Sequence, residues 1–256
     1  MNSSASGEKF AAFMDIVRRL RKECPWDREQ THSSIRHSLI EETYEVIEAI
    51  EANDPTHLRS ELGDLLLHIA LHAVMAEEDH TFTVDDVIDG ISDKMIRRHP
   101  HVFGNASVTD AGDVKRNWER IKVSEGRSSV LDGVPTELPA LLRAHRTQEK
   151  ASKIGFDWPH KVDVWKKVRE EIDELGRAEE VGEQGQVEEE FGDVLFALVN
   201  YSRFLHVNPE FALRGAVEKF SRRFRRVEEE LRRQGKDVAD SSLEEMDRLW
   251  NEGKNR

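Results

Sequence analysis

The chain has 256 residues, 38% of them apolar and 35% charged, and its 51 acids against 38 lysines and arginines leave a formal charge of −13. So polar a composition, with only 7% aromatics, excludes a sandwich or barrel of short β-branched strands and predicts an all-α fold. No apolar run approaches the roughly eighteen residues of a membrane span, the longest being Val194 to Val199, and the first residues form no hydrophobic signal core.

Helical periodicity predicts elements over about 8–23, 34–52, 56–78, 84–98 and 111–124, then 137–153, 161–180, 185–206, 209–234 and 241–252. Asp54-Pro55-Thr56 reads as a turn and a helix start, and Pro100 closes the fourth helix. Segments this short and charged are unstable alone, so they must pack as a bundle. The elements also repeat. Ile40-Glu41-Glu42-Thr43-Tyr44-Glu45 returns as Arg169-Glu170-Glu171-Ile172-Asp173-Glu174, and Glu61-Leu62-Gly63-Asp64 as Glu190-Phe191-Gly192-Asp193. Glu42 and Glu171, Glu45 and Glu174, Glu61 and Glu190, and Asp64 and Asp193 are each 129 residues apart, and two motifs in one register mark a tandem duplication. The expected organisation is a first helical repeat over 1–125, a linker over 126–139 containing Pro135 and Pro139, and a second repeat over 140–256.

The single cysteine, Cys24, excludes an intrachain disulfide, and together with the missing signal core it predicts a cytoplasmic protein. The acidic balance argues against a nucleic-acid partner, because phosphate backbones are held by clustered Lys and Arg, and nothing suggests a membrane partner. It leaves metal binding open.

On the helix of Glu170, Glu171 and Glu174 the three acids span about 100° of arc, opposite Val168, Ile172 and Leu175. Alone that is an ordinary amphipathic helix with a solvated acidic face. The helix carrying Glu190 and Asp193 differs: Phe191, Val194, Leu195, Phe196, Ala197, Leu198 and Val199 make it apolar nearly all round, which predicts burial on most sides. Buried carboxylates cost several kcal/mol each unless paired or bound to a cation, and no Lys or Arg follows Glu190 at three or four residues. Glu61 and Asp64 repeat the situation beside Leu65, Leu66, Leu67 and Ile69. A mid-helix glycine costs about 0.5–1 kcal/mol relative to alanine, so Gly63 and Gly192 predict the close approach of another backbone or a ligand. Two facing helices with two acids each would gather four carboxylates around a hard divalent cation. Oxygen-only ligation suits Mg²⁺, with Mn²⁺ as a substitute, and Mg²⁺ completes its shell with water and phosphate oxygens.

The pattern Glu-Glu-x-x-Glu, then Glu-x-x-Asp, resembles the MazG family of nucleoside triphosphate pyrophosphohydrolases. The resemblance extends over nearly the whole chain through Cys24-Pro25-Trp26-Asp27, Arg97-Arg98-His99-Pro100-His101-Val102-Phe103 and Gly155-Phe156-Asp157-Trp158. It implies an all-α tandem repeat, a homodimer, and Mg²⁺-dependent cleavage of a nucleoside triphosphate between its α- and β-phosphates, giving monophosphate and pyrophosphate. The implied metal ligands are Glu171, Glu174, Glu190 and Asp193, with Glu42, Glu45, Glu61 and Asp64 as first-copy equivalents. Glu170 or Glu189 would orient the attacking water. Lys167, Lys219, Arg222 and Arg223 fall on phosphate-contacting positions and Trp250 where an aromatic lies near the nucleotide; Gln186 replaces a lysine the family often carries. Broad base tolerance over ribo- and deoxyribonucleotides is expected, because the recognisable chemistry addresses phosphates and metal.

Other readings compete with some of these roles. The run holding Lys219, Arg222 and Arg223 would by itself be a solvated helix face, and Trp250 a core or interface residue. His68 and His72 share one helix face, with no cysteine to support a zinc site. No P-loop or dinucleotide fingerprint occurs. A di-iron bundle expects Glu-x-x-His where Asp64 and Asp193 stand. The alternative to an enzyme is a catalytically silent all-α dimerisation scaffold.

Overall fold

All regular structure among the described residues, 3–110, 112–114 and 129–253 of a computed structural model, is helical. Two units divide the chain, Met1–Val114 and Lys115–Arg256. The first contains α1 (Ser3–Glu23), α2 (Pro25–Glu29), α3 (Arg36–Glu51), α4 (Pro55–Glu78), α5 (Val84–Arg98) and α6 (Pro100–Phe103). The second contains α7 (Ala140–Lys153), α8 (Lys161–Val181), α9 (Gln184–Phe204), α10 (Pro209–Arg233), a 3₁₀ turn at Val238–Asp240 and α11 (Leu243–Gly253). Trp118, most of the helix expected over 111–124, and the first residues of the expected linker lie outside the described residues. The rest of that linker sits in the second unit, where the buried Lys150 ammonium donates to the carbonyls of Asp132 at 2.6 Å and Val130 at 3.3 Å.

Local chemistry explains the boundaries. The Asp54 carboxylate accepts from the backbone of Thr56 and His57 with Pro55 in the first turn of α4, Thr83 and Asp86 form a reciprocal capping box on α5, and Asn208 caps α10 ahead of Pro209. The short helices α2 and α6, not expected from periodicity, each begin at a proline, where the missing N–H costs nothing.

The framework of each unit is an antiparallel helix pair closed by a very short turn. Asn53 ends α3 with φ 53°, and Gly182 ends α8 with φ 76°, and only such left-handed residues reverse the chain so tightly. Glu45 and Glu61 stand eight residues either side of Asn53, and Glu174 and Glu190 eight either side of Gly182. Antiparallel helices bring such positions level, so the turn itself sets the acids opposite one another. In the first unit α1 and α4 share a core of Met14, Val17, Leu71, Val74 and Met75, and the ion pairs Arg18–Glu77 (3.1 Å) and Arg21–Glu78 (2.6 Å) join their ends. In the second, Val227 and Leu231 of α10 pack on Leu249 and Trp250 of α11.

One expectation fails. The apolar helix α9 is not covered on most sides: Phe191 is 55% exposed, and Leu195, Phe196 and Leu198 are also exposed, whereas α4 is exposed at Leu62 and Ile69, each 51%, but largely buried from Ala70 to Ala76. A Cβ built on Gly63 or Gly192 meets nothing within 4 Å, so no backbone of the described residues approaches there. A helix apolar all round inside one unit of this size has too few neighbours to cover it.

Candidate metal centre

Three carboxylates converge in each unit. Oxygens of Glu171, Glu174 and Glu190 lie within 4.8 Å of one another, as do those of Glu42, Glu45 and Glu61. Donor oxygens around one hard cation at about 2.1 Å span roughly 3–4 Å, so each trio fits such an ion with small side-chain shifts. The fourth acid stands apart from this convergence. Asp193 is exposed and Asp64 half-buried, although both press electrostatically on their trios. Among the described residues three carboxylates, not four, therefore converge in each unit.

Crowding shows in the proton affinities. Desolvation first, then the charges of Glu174, Asp193 and Glu171, raise the Glu190 carboxyl above the usual glutamate value. Glu42 is raised by desolvation and by Asp64 and Glu45, against an opposing contribution from His68. Glu45 is raised chiefly by its hydrogen bond with Glu61. Part of each shift comes from neighbouring carboxylates, and a divalent cation would offset that repulsion.

The two centres differ in their bases. In the second unit the Lys167 ammonium sits 2.7 Å from Glu170 and 2.8 Å from Glu171, and hydrogen bonds to these two acids hold it well above the usual lysine range. Its first-unit counterpart, 129 residues earlier, is Ser38, while His57 contacts Glu61 at 3.2 Å from the position that corresponds to Gln186. Sequence periodicity missed His57, although its four-residue spacing from Glu61 was visible. Nearby, His32 and His72 stack in parallel with their Nδ1 atoms 2.7 Å apart, and the buried His68 leaves its Nδ1 without a partner. Of these histidines, His68 bears electrostatically on Glu42 of the first trio.

Beside the second centre lies a cavity of about 870 Å³ whose wall includes Lys167, Glu171 and Asp193. The rest of its lining comes from α7, α9, residues 129–131 and the loop before α8, including Phe156, Trp158 and Phe196. No single motif marks this space, because its walls come from separate segments; Gly155-Phe156-Asp157-Trp158, Lys167, Glu171 and Asp193 are the sequence candidates that line it. Arg203 of α9 holds that loop, with guanidinium nitrogens 2.7 and 3.3 Å from the two Asp157 carboxylate oxygens.

The remaining candidates lie elsewhere in the second unit. Lys219 and Arg222 are exposed on α10, and Arg223 places its guanidinium 5.8 Å over the Trp250 ring. Trp250 also packs against Phe220 at 5.1 Å and against the Val227 and Leu231 core. None of these four lines the cavity. Glu189 and Gln186 are exposed at the start of α9.

The family model of the MazG nucleotide pyrophosphohydrolase domain matches residues 30–103 and again 163–231. The nucleoside triphosphate pyrophosphohydrolase/pyrophosphatase MazG of Thermotoga maritima is 43% identical over 97% of this chain and 97% of its own length. The nucleoside triphosphate pyrophosphohydrolase of Escherichia coli K12 is 44% identical over 94% of this chain and 95% of its own. An uncharacterized Bacillus subtilis protein, YabN, is 50% identical over 96% of this chain, which spans only 52% of that longer protein.

Proposed function

The chain belongs to the MazG nucleotide pyrophosphohydrolase family, and from that membership we infer that it is an enzyme hydrolysing nucleoside triphosphates. We propose that it cleaves them between the α- and β-phosphates with Mg²⁺, accepts ribo- and deoxyribonucleotides of any base, and acts on the cytoplasmic nucleotide pool. The observation that carries this reading is the convergence of Glu171, Glu174 and Glu190 within 4.8 Å of one another, with Glu171 also at the wall of a nucleotide-sized cavity. Among the described residues no helix is long and apolar enough to cross a membrane.

Glu171, Glu174 and Glu190 would hold the cation, with Asp193 swinging in as a further ligand. Mg²⁺, when bound, supplies charge neutralisation of the phosphates and a lowered pKa for water. The chain's own groups do the rest. Lys167 holds the Glu171 carboxylate at 2.8 Å, and the third N–H of its ammonium is left to meet a phosphate oxygen. Glu170 or Glu189 orients the attacking water and takes its proton; Glu170 is already fixed in place by Lys167. No nucleophilic side chain is needed. Lys219 and Arg222, exposed on α10, and the half-buried Arg223 are assigned to the outer phosphates. Trp250, assigned by position to the nucleotide, carries the Arg223 guanidinium over its ring. The first-copy acids Glu42, Glu45, Glu61 and Asp64 form a second metal centre lacking the lysine.

We further propose a homodimer. The exposed Leu62, Ile69, Phe191 and Leu195 are unusually large apolar side chains for a solvated surface, and the empty space at Gly63 and Gly192 would admit a partner helix. The test of function is pyrophosphate release from a panel of nucleoside triphosphates with Mg²⁺ and with EDTA. Pyrophosphate together with monophosphate is expected, and Glu171→Ala should lower turnover at least 100-fold. Release of neither product from any triphosphate would favour the silent scaffold, and turnover of Glu171→Ala within threefold of wild type would remove the second centre as the working site.

A further inference from the structure

Spacing along α4 supplies two histidines, His68 and His72, and the fold of the first unit adds a third. His32, in the segment between α2 and α3, reaches His72 so that the two Nδ1 atoms lie 2.7 Å apart with the ring planes parallel to within 3°. One proton serves that contact, since of two facing ring nitrogens one donates and the other accepts. The backbone around His32 is anchored on both sides. The largely buried Arg21 guanidinium donates to the carbonyls of Asp27 and Gln30 while pairing with Glu78 at the end of α4, and Ile35 is 2% exposed in the core that holds Leu71 and Val74. His68 stands one turn before His72 on the same helix face, 8% exposed, with its Nδ1 buried and without a partner among the described residues. An unpaired buried ring nitrogen is costly and in a native structure calls for an explanation. Burial first, then the charges of His32 and His68, hold the His72 imidazole below the ordinary histidine value, which keeps the ring neutral near pH 7, the form that ligates metals.

We propose that His32, His68 and His72 form a binding site for Zn²⁺, separate from the acid trios, which staples α4 to the segment leading into α3. Three imidazole nitrogens suit a borderline transition cation and not Mg²⁺, which takes oxygen. With Zn–N bonds of about 2.0–2.1 Å, two tetrahedral donors stand about 3.3 Å apart, so the His32–His72 contact opens by about 0.6 Å to admit the ion. The ring that had donated carries its proton on Nε2 instead, so both Nδ1 lone pairs face the metal and no proton leaves the pair. The three rings are not drawn together as closely as either acid trio, whose oxygens lie within 4.8 Å, and His68 completes the set by turning about its side-chain torsions. His32 is exposed, which gives the ion entry from solvent and leaves its fourth position to water. Because Glu42 and Glu45 stand on α3 and Glu61 on α4, the ion braces both helices of the first trio. The positions 129 residues on are Lys161, Ala197 and Tyr201, so the duplication did not carry the three imidazoles into the second unit. The site stands whether or not the chain hydrolyses nucleotides.

The test is calorimetric titration of the full chain with Zn²⁺ in excess Mg²⁺, which fills the oxygen sites, alongside visible absorption of the Co²⁺-loaded protein. Wild type is expected to bind Zn²⁺ at one dominant site and to show the intense visible bands of four-coordinate Co²⁺. His32→Ala, His68→Gln and His72→Phe are each expected to weaken Zn²⁺ at least about 10-fold and to bleach those bands, since even groups standing behind the ligands of a metal cost about 10- to 100-fold. His160→Ala, in the other unit, should leave both unchanged. Affinity unmoved by His32→Ala or by His68→Gln would overturn the site, as would loss of Zn²⁺ binding in Glu42→Gln with the three histidines intact, which would place the ion at the acid trio. His32 is exposed, so His32→Ala decides even if a variant within α4 fails to fold.

Discussion

Arg203→Met removes the guanidinium that joins the loop before α8 to α9. The side chain of Arg203 is 12% exposed and that of Asp157 27%, with the contacts at 2.7 and 3.3 Å and the further bond of 2.6 Å to Asn200. An exposed pair contributes under about 1 kcal/mol, and stripping one partner from a fully buried pair costs about 3–5. The intermediate burial, discounted for solvent at Asp157, puts the loss near 2 kcal/mol. Methionine retains the aliphatic stem, so little of this is packing. In a unit of this size about 2 kcal/mol lowers the melting temperature by roughly 4–8 °C. The assay is differential scanning calorimetry of Arg203→Met, Asp157→Asn and the double variant. Because the damage arises mainly from the stranded carboxylate, the double variant should be more stable than the sum of the single losses by at least about 1 kcal/mol. A melting point within about 1 °C of wild type, or strictly additive losses, would refute the reasoning.

Three other outcomes are expected. Mg²⁺ at about 100 times its Kd should stabilise wild type by about 2.7 kcal/mol in thermal melts, and Glu171→Gln should lose most of that gain; equal stabilisation of both proteins would place the ion elsewhere. Because the Glu190 carboxyl is raised, its folded form binds a proton more tightly than the unfolded chain does, which favours the metal-free fold at low pH and ceases to do so as pH rises through the raised value. The cation competes with that proton, so Mg²⁺ affinity should decline on acidification at a higher pH than an ordinary glutamate would dictate, and Glu190→Gln should flatten the early part of that decline; parallel pH profiles for the two proteins would refute the coupling. Leu195→Asp, placed on the exposed apolar face of α9, should shift the protein toward monomer in light scattering behind size exclusion, whereas a wild type already monomeric at micromolar concentration would end the dimer proposal.

The helical class, the duplication and nearly every helix boundary were legible in the sequence, because periodicity, proline placement and capping residues act within a few positions of one another. Asp54, Thr83 and Asn208 close their own helix starts without help from the rest of the fold. The pairing of acids was legible for a related reason: a short turn and constant helical rise carry Glu174 and Glu190 to one level whatever surrounds them. Burial was not. The composition of α9 suggested a covered helix, but coverage depends on how many neighbours a unit can supply, and here it leaves Phe191 and Leu195 in the open. Nor could spacing foretell that Asp193 would stand outside the trio, or that Gln148 and Asn200, from different helices, would line one cavity. Local rules determined the elements and the register of the acids; only packing between segments far apart in the chain decided which side chains share a space, since that depends on contacts no short window of sequence contains.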